Sequence, residues 1–431
     1  MVSHGVNIQK EMERLKPKPV IMSQKKLSFN GFSAFALLVC ISFGAMKMRA
    51  YLPEGRFWAE EGAIFYSSMI NLEFWKRPLF IFNGHLEFIT NIIVTCATLV
   101  EPRYAPMVTT YLAYAAQLIP ICIIITYRET LGLSEWKLIT LIIISVGLPQ
   151  ASEVWANTTN LHFHFALVAA LIASLPTMEG PKKHTYRLAL LASGLSGIPA
   201  NFVLPALIAN AIKEGTSERR IQMGIISATT ALQVGLLLTN DFESAGRTYT
   251  FNPITYWLAG LSQTIVAPLF GLEVGNHISQ ILRSAHAFNI NGLLFAGAIT
   301  LLPAHLALTV LRHPSSTHKT LLICSLLLSI MCTLTSLGSK IGLISAFYGG
   351  RYFYASNVLL AACLLGTMTK LHRPVIAVTS IVALTSLSNI PHYLGGPSWS
   401  NSLSEAHENQ KTQVKIWPQG WTMLIPANNK P

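Results

Sequence analysis

Charge is the scarcest resource in this chain. Of its 431 residues only 12% are Asp, Glu, Lys or Arg, and aspartate occurs once, at Asp241. A soluble globular domain carries roughly twice that charged fraction, so that class is excluded. Cysteine is sparse too. Cys40, Cys96, Cys122, Cys324, Cys332 and Cys363 are scattered through apolar segments without a C-x-x-C pair, which argues against a zinc site and against a disulfide framework. No P-loop or Rossmann glycine pattern is present. No tandem repeat, low-complexity tract or aromatic-basic nucleic-acid module stands out. The short alternating segments of a transmembrane β-barrel are also missing.

Hydrophobic residues, at 51%, dominate instead. Several apolar runs reach the roughly 20 residues needed to cross a bilayer as a helix. The chain reads as an all-α polytopic membrane protein with about 11 spans. These are Leu27–Met46, Ala105–Tyr127, Leu138–Gln150, Leu161–Pro176, Leu188–Ile198, Ala200–Ile212, Ile221–Thr239, Ala287–Leu311, Lys319–Gly338, Tyr352–Thr369 and Pro374–Ser388. The first lacks a small-x-small cleavage site and follows 26 residues, so it is expected to be retained rather than removed as a signal.

Lys and Arg set the orientation. With the N-terminus cytoplasmic, the inside segments hold 18 of the 31 basic residues but only 7 of the 19 acidic ones, a positive-inside bias. This requires Phe88–Val100 to be juxtamembrane or re-entrant. It also requires Leu188–Ile212 to bend back at Ser196-Gly197-Ile198-Pro199, where glycine and proline supply a break. The expected layout is a cytoplasmic tail (1–26), a membrane domain (27–388) and an outer C-terminal tail (389–431). The outer loops span 47–104, 151–160 and 240–286, the first being large and holding juxtamembrane helices. The tail contains Val414–Trp421, which reads as a small strand-and-turn element.

Against so little charge, three polar constellations stand out. The first is Arg56-Phe57-Trp58-Ala59-Glu60-Glu61-Gly62 in the first outer loop. A carboxylate there suits a general base for an acceptor hydroxyl; it equally suits the N-terminal end of the amphipathic stretch Ala63–Trp75. The second is the loop from Glu153 through Asn157, Thr158 and Asn160 to His162 and His164. Asn157, Asn160 and His162 could hold sugar hydroxyls, and Asn160 could cap the next helix. The two histidines do not share a helix face, and no H-x-x-x-H spacing supports a metal. The third is Gly349-Gly350-Arg351-Tyr352, whose outer Arg suits a lipid phosphate or snorkels to the interface. Arg56, Arg77, His85 and Glu87 are further polar candidates of the first loop, and Asp241 marks a span boundary.

These residues resemble the GT-C superfamily of integral-membrane glycosyltransferases, and within it bacterial members with a W-A-E-D-G-like motif in the first outer loop. The matching segments are Trp58–Gly62, Thr159–Phe163, Leu195–Pro199, Gly350–Tyr352 and Pro418–Trp421, in order along nearly the whole chain. Glu61 stands where the motif has Asp, Phe163 where the second loop has Trp, and Ile198 is inserted before Pro199. The first departure leaves Glu60 and Glu61 both open as the base.

The resemblance implies an inverting enzyme of the bacterial inner membrane with a periplasmic site. Its donor would be a polyprenyl-phosphate-linked sugar, and its acceptor a surface glycan such as lipopolysaccharide O-antigen. A donor-synthesising enzyme and a flippase would act upstream. Nucleic acid is no partner. In this expectation Glu61, or else Glu60, is the base; Arg351, with Arg56, neutralises the leaving phosphate; and Trp58, His85, Glu153, Asn157, Asn160, His162 and Tyr352 line the substrate. A divalent metal is compatible but not required, and no metal ligand is assigned. Rival readings are an O-antigen polymerase, which usually uses arginine-rich outer loops, and a flippase or transporter of lipid-linked glycans. The latter predicts internal repeats and mid-membrane ionisable groups, and neither is seen in the sequence.

Overall fold

The computed structural model describes residues 30–239, 252–336, 341–370, 372–388, 395–408 and 413–425. The expected tail 1–26, the first residues of the first span, and Asp241 with the rest of 240–251 lie outside the described residues. Among those described, the chain is an all-α multi-pass membrane protein with two small β-hairpins.

Six helices are long and apolar enough to cross a bilayer: Gly31–Met48, Ala105–Thr126, Ser217–Thr239, Pro253–His286, Ile290–Arg312 and Ser316–Thr335. The other expected spans coincide with shorter helices. Two of these, Leu161–Ser174 and Tyr354–Gly366, are buried on almost every side. A helix that is apolar all round belongs inside protein rather than at its surface. Leu161–Ser174 is enclosed by Ile119–Thr126, Lys182–Leu195, Ser316–Ser336 and Tyr354–Gly366, and forms the axis of the main core.

The break expected near residue 196 is present. The Lys182–Leu195 helix ends there, Gly197 adopts φ 105°, and a 3-10 turn begins at Pro199. Phe88–Val100 yields a helix of ten residues, Phe88–Ala97, about 15 Å long and so half a hydrocarbon core. The expected third loop differs. Residues 253–286 are helical, interrupted by a π-turn at Ser262–Val266 and by Gly271 at φ 74°. The region includes the apolar stretch Ile254–Phe270, and its helices pack on Ile290–Arg312.

Helix ends gather into two groups. In one, Arg219 donates to the carbonyls of Ile172 and Leu175, Arg187 pairs with Glu218, and a His318 ring nitrogen lies 3.1 Å from the Leu131 carbonyl. In the other, the segment 49–104 meets 148–160, 196–199, 341–353 and the C-terminal tail. The tail and the first loop share a core of their own, built on Phe57, Phe65, Tyr66, Trp399, Val414 and Ile416.

Candidate functional site

The second group of helix ends carries the polar constellations, and Glu61 is the knot between them. It opens a π-helical turn, Glu61–Tyr66, an element often found at functional sites. Its carboxylate accepts from the Trp58 amide (2.9 Å), the Thr158 amide (2.8 Å) and the Thr158 hydroxyl (2.7 Å). The first two outer loops are thus stapled through one fully buried carboxylate. Burial raises Glu61 to about 7, against the pull of the Thr158 and Trp58 hydrogen bonds. Each stapled loop contains a non-glycine residue in the left-handed region, Ala59 at φ 42° and Ala156 at φ 54°. Such strain persists only where the surroundings over-determine it.

Glu60 differs from its neighbour. It is half-buried and close enough to Arg351 for its charge to help hold that guanidinium ionised, after the larger effects of Tyr352 and Glu153. Arg351 pairs with Glu153 at 3.3 Å and reaches the Tyr352 hydroxyl at 3.4 Å. Gly350 makes the approach feasible. A Cβ there would lie 2.0 Å from the Gln150 carbonyl oxygen, so the turn bearing Arg351 presses directly on the loop bearing Glu153.

A second buried carboxylate lies beside this knot. Glu87 faces His85 Nε2 at 3.2 Å and His162 Nδ1 at 3.5 Å, and accepts from the Thr90 hydroxyl at 3.2 Å. Burial pushes Glu87 up, but the His162 and His85 rings that face it outweigh burial and bring it down to about 2. The single Thr90 hydroxyl proton is shared between Glu87 and the Thr158 carbonyl, the latter nearer at 2.8 Å. Glu61 and Glu87 therefore sit in one network, joined through Thr158 and Thr90.

The expected site residues sort into a rim and a floor. Glu60, His85, Glu153, His162 and Arg351 keep some exposure. Several expectations need correction. Asn157 does not offer a free amide: its amide nitrogen donates to Glu153 and Trp155 carbonyls, and its oxygen accepts from Thr159 and Asn160. Asn160 precedes the Leu161–Ser174 helix but does not cap it with its side chain; that side chain turns to Glu153 and Asn157. Arg56, expected at a phosphate, is buried among Tyr51, Trp58 and Trp417, 3.7, 4.4 and 5.2 Å from the ring centres, and donates to the Trp155 carbonyl. Trp58, expected to line the substrate, is buried with Phe57 in the protein interior, and Tyr352 is buried against Phe163. Arg77 clasps the first loop through Thr98 and the Leu72 carbonyl.

Sequence reasoning gave Thr158 no role and missed Gln117. The Gln117 amide binds the Val154 and Asn157 carbonyls and the Ala156 amide, fixing the second loop from a neighbouring helix. A glutamine within an apolar run was the available signal. Among the described residues no group of three His, Cys, Asp or Glu side chains is arranged to hold a metal. Compared with known proteins, the chain matches no family model, no curated protein and no solved structure.

Proposed function

We propose that this protein is a membrane glycosyltransferase. It moves a sugar, a hexose such as glucose, from a polyprenyl-phosphate donor to a surface glycan such as lipopolysaccharide O-antigen. We place the reaction on the periplasmic side of a bacterial inner membrane. The observation that carries this reading is a partly exposed carboxylate, Glu60, within electrostatic reach of a partly exposed guanidinium, Arg351, at one end of an apolar helical bundle. A base and a phosphate-binding cation are the two groups that a single displacement on a sugar phosphate needs.

In this reading the acceptor hydroxyl gives its proton to Glu60 as its oxygen attacks the anomeric carbon. The carbon–oxygen bond to phosphate breaks, and its electron pair leaves with the polyprenyl phosphate. Arg351 stabilises the charge developing there, the phosphate competing with Glu153 for the guanidinium. The exposure of Glu60 and the closure of Glu61, whose two oxygens already accept three hydrogen bonds, favour Glu60 as the base and Glu61 as its brace. His162 and His85, facing Glu87, border the sugar on the rim.

The test is mass spectrometry of surface glycans from cells with the wild-type gene, no gene, Glu60→Gln or Glu61→Gln. A hexose-sized increment should require the gene. Glu60→Gln should lower it on the order of 10²–10⁴-fold at normal membrane abundance. Glu61→Gln should chiefly lower abundance, because an amide nitrogen replaces the oxygen that faces the Trp58 amide. Identical glycans with and without the gene would favour transport of lipid-linked intermediates. Full transfer by Glu60→Gln, with none by a normally abundant Glu61→Gln, would hand the base to Glu61.

A further inference from the structure

The C-terminal tail reaches back to the acidic loop and grips it one residue short of Glu60. The Trp417 amide donates to the Phe57 carbonyl at 3.1 Å, and the Trp417 carbonyl accepts from the Ala59 amide at 2.5 Å. Together they form a parallel bridge across Trp58. The gripped Ala59 is the residue at φ 42°, a conformation an L-residue adopts only when held there.

Trp417 is itself fixed on several sides. Its ring meets Tyr51 edge-on at 5.4 Å and lies 5.2 Å from the Arg56 guanidinium, and its Nε1 donates to the Pro397 carbonyl at 2.6 Å. A Cβ on Gly396 would come within 2.6 Å of the indole. Ile416, its neighbour on the strand Gln413–Ile416, abuts Gly62, where a Cβ would sit 3.0 Å from the Ile416 Cδ1. Glu54 anchors the rest of the tail by accepting from Ser398 and Ser400 at the start of the helix Trp399–Glu408.

We infer that Trp417, held in place by residues 395–400, is a positioning residue of the site. By holding the Ala59 backbone, Trp417 sets the directions in which Glu60 and Glu61 leave the chain, one toward the rim and one into the floor. A residue released from φ 42° relaxes to an ordinary conformation, and the two carboxylates lose their distinct exposures. The catalytic consequence rests on the reading of Glu60 given above; the geometric claim does not.

The test uses the full-length protein in membranes and two readouts. In a Glu60→Cys background, alkylation of the new thiol by a membrane-impermeant maleimide reports the direction of position 60, with the parent chain correcting for native thiols. With Glu60 intact, glycan mass spectrometry and donor titration report transfer. Trp417→Ala removes the indole; Gly396→Ala only pushes it. Lys415→Ala, whose exposed side chain pairs with Glu405 on the outer face of the tail, is the control. Both Trp417→Ala and Gly396→Ala should change the alkylation rate about tenfold or more. They should also lower transfer by on the order of tenfold to a hundredfold, in kcat rather than in donor KM. Lys415→Ala should change neither. Wild-type alkylation and wild-type transfer in both variants would overturn the inference. If Trp417→Ala is lost from membranes, Gly396→Ala decides alone. Changed alkylation, with no transfer even by the wild type, would support the positioning role and overturn the glycosyl-transfer reading instead.

Discussion

Glu61 and Glu87 are both buried carboxylates, yet their surroundings drive them in opposite directions. Glu61 meets amides, a hydroxyl and burial, and burial wins, lifting it to about 7. Glu87 meets two imidazoles, which outweigh burial and bring it to about 2. The consequences for stability have opposite signs. The folded form of Glu61 holds its proton more tightly than the unfolded chain does, so its contribution is full below the ordinary 4.5 and is lost as pH rises through about 7. The contribution of Glu87 is full above 4.5 and is lost as pH falls toward 2. Melting of the detergent-purified protein should therefore show an acid limb between those values that flattens in Glu87→Gln. A wild-type acid limb in that variant would mean that the imidazoles do not hold Glu87 in its charged form. The same contrast suits the proposed roles. A carboxylate closed in by three donors braces a loop, whereas half-exposed Glu60 has room for a hydroxyl.

At the scale of elements, the site is made by turns that press on one another. The 3-10 turn Gly350–Phe353 lies on the turn Pro149–Val154, and only the lack of a side chain at Gly350 permits the contact. Gly350→Ala should force the two turns apart, separate Arg351 from Glu153 and destabilise the protein by about 1–3 kcal/mol. Thermal unfolding would check this, and an unchanged melting temperature would show that the turns can slide. The short helices behind these turns fit the same logic. Leu161–Ser174 begins at the site and runs enclosed by protein, so its 14 residues need not match the thickness of a bilayer. Its apolarity was plain in the sequence and read as a span, but its enclosure by other helices was not. Residues 253–286 show the converse, since the apolar stretch Ile254–Phe270 falls within an expected outer loop and is helical in the structure.

For the whole molecule, the two groups of helix ends invite a sidedness test. Lys182 is exposed beside Arg187 at the end opposite Glu60, and the excess of Lys and Arg favours a cytoplasmic location for that end. A cysteine replacing Lys182 should resist an impermeant maleimide in intact cells and react after lysis, whereas one replacing Glu60 should react in both. The reverse pattern would put the site on the cytoplasmic side and remove the periplasmic donor from consideration. Composition alone determined that this is an apolar, helical, multi-pass protein, because charge is too costly in a bilayer to be placed without a use. For the same reason Glu60, Glu61, Glu153, His162 and Arg351 stood out as candidates, and the Ser196–Pro199 break was readable from glycine and proline. Only the tertiary structure decided which of those groups are rim and which are floor. Asn157, Asn160 and Arg56 look like ligands in the sequence, but the Asn157 amide is engaged at both ends, the Asn160 amide nitrogen donates to Glu153 and Asn157, and Arg56 is buried against Tyr51, Trp58 and Trp417. The role of Trp417, more than 350 residues beyond Glu60, was likewise beyond any local pattern. Burial and pairing depend on contacts between distant segments, and a residue's own neighbours along the chain do not encode them.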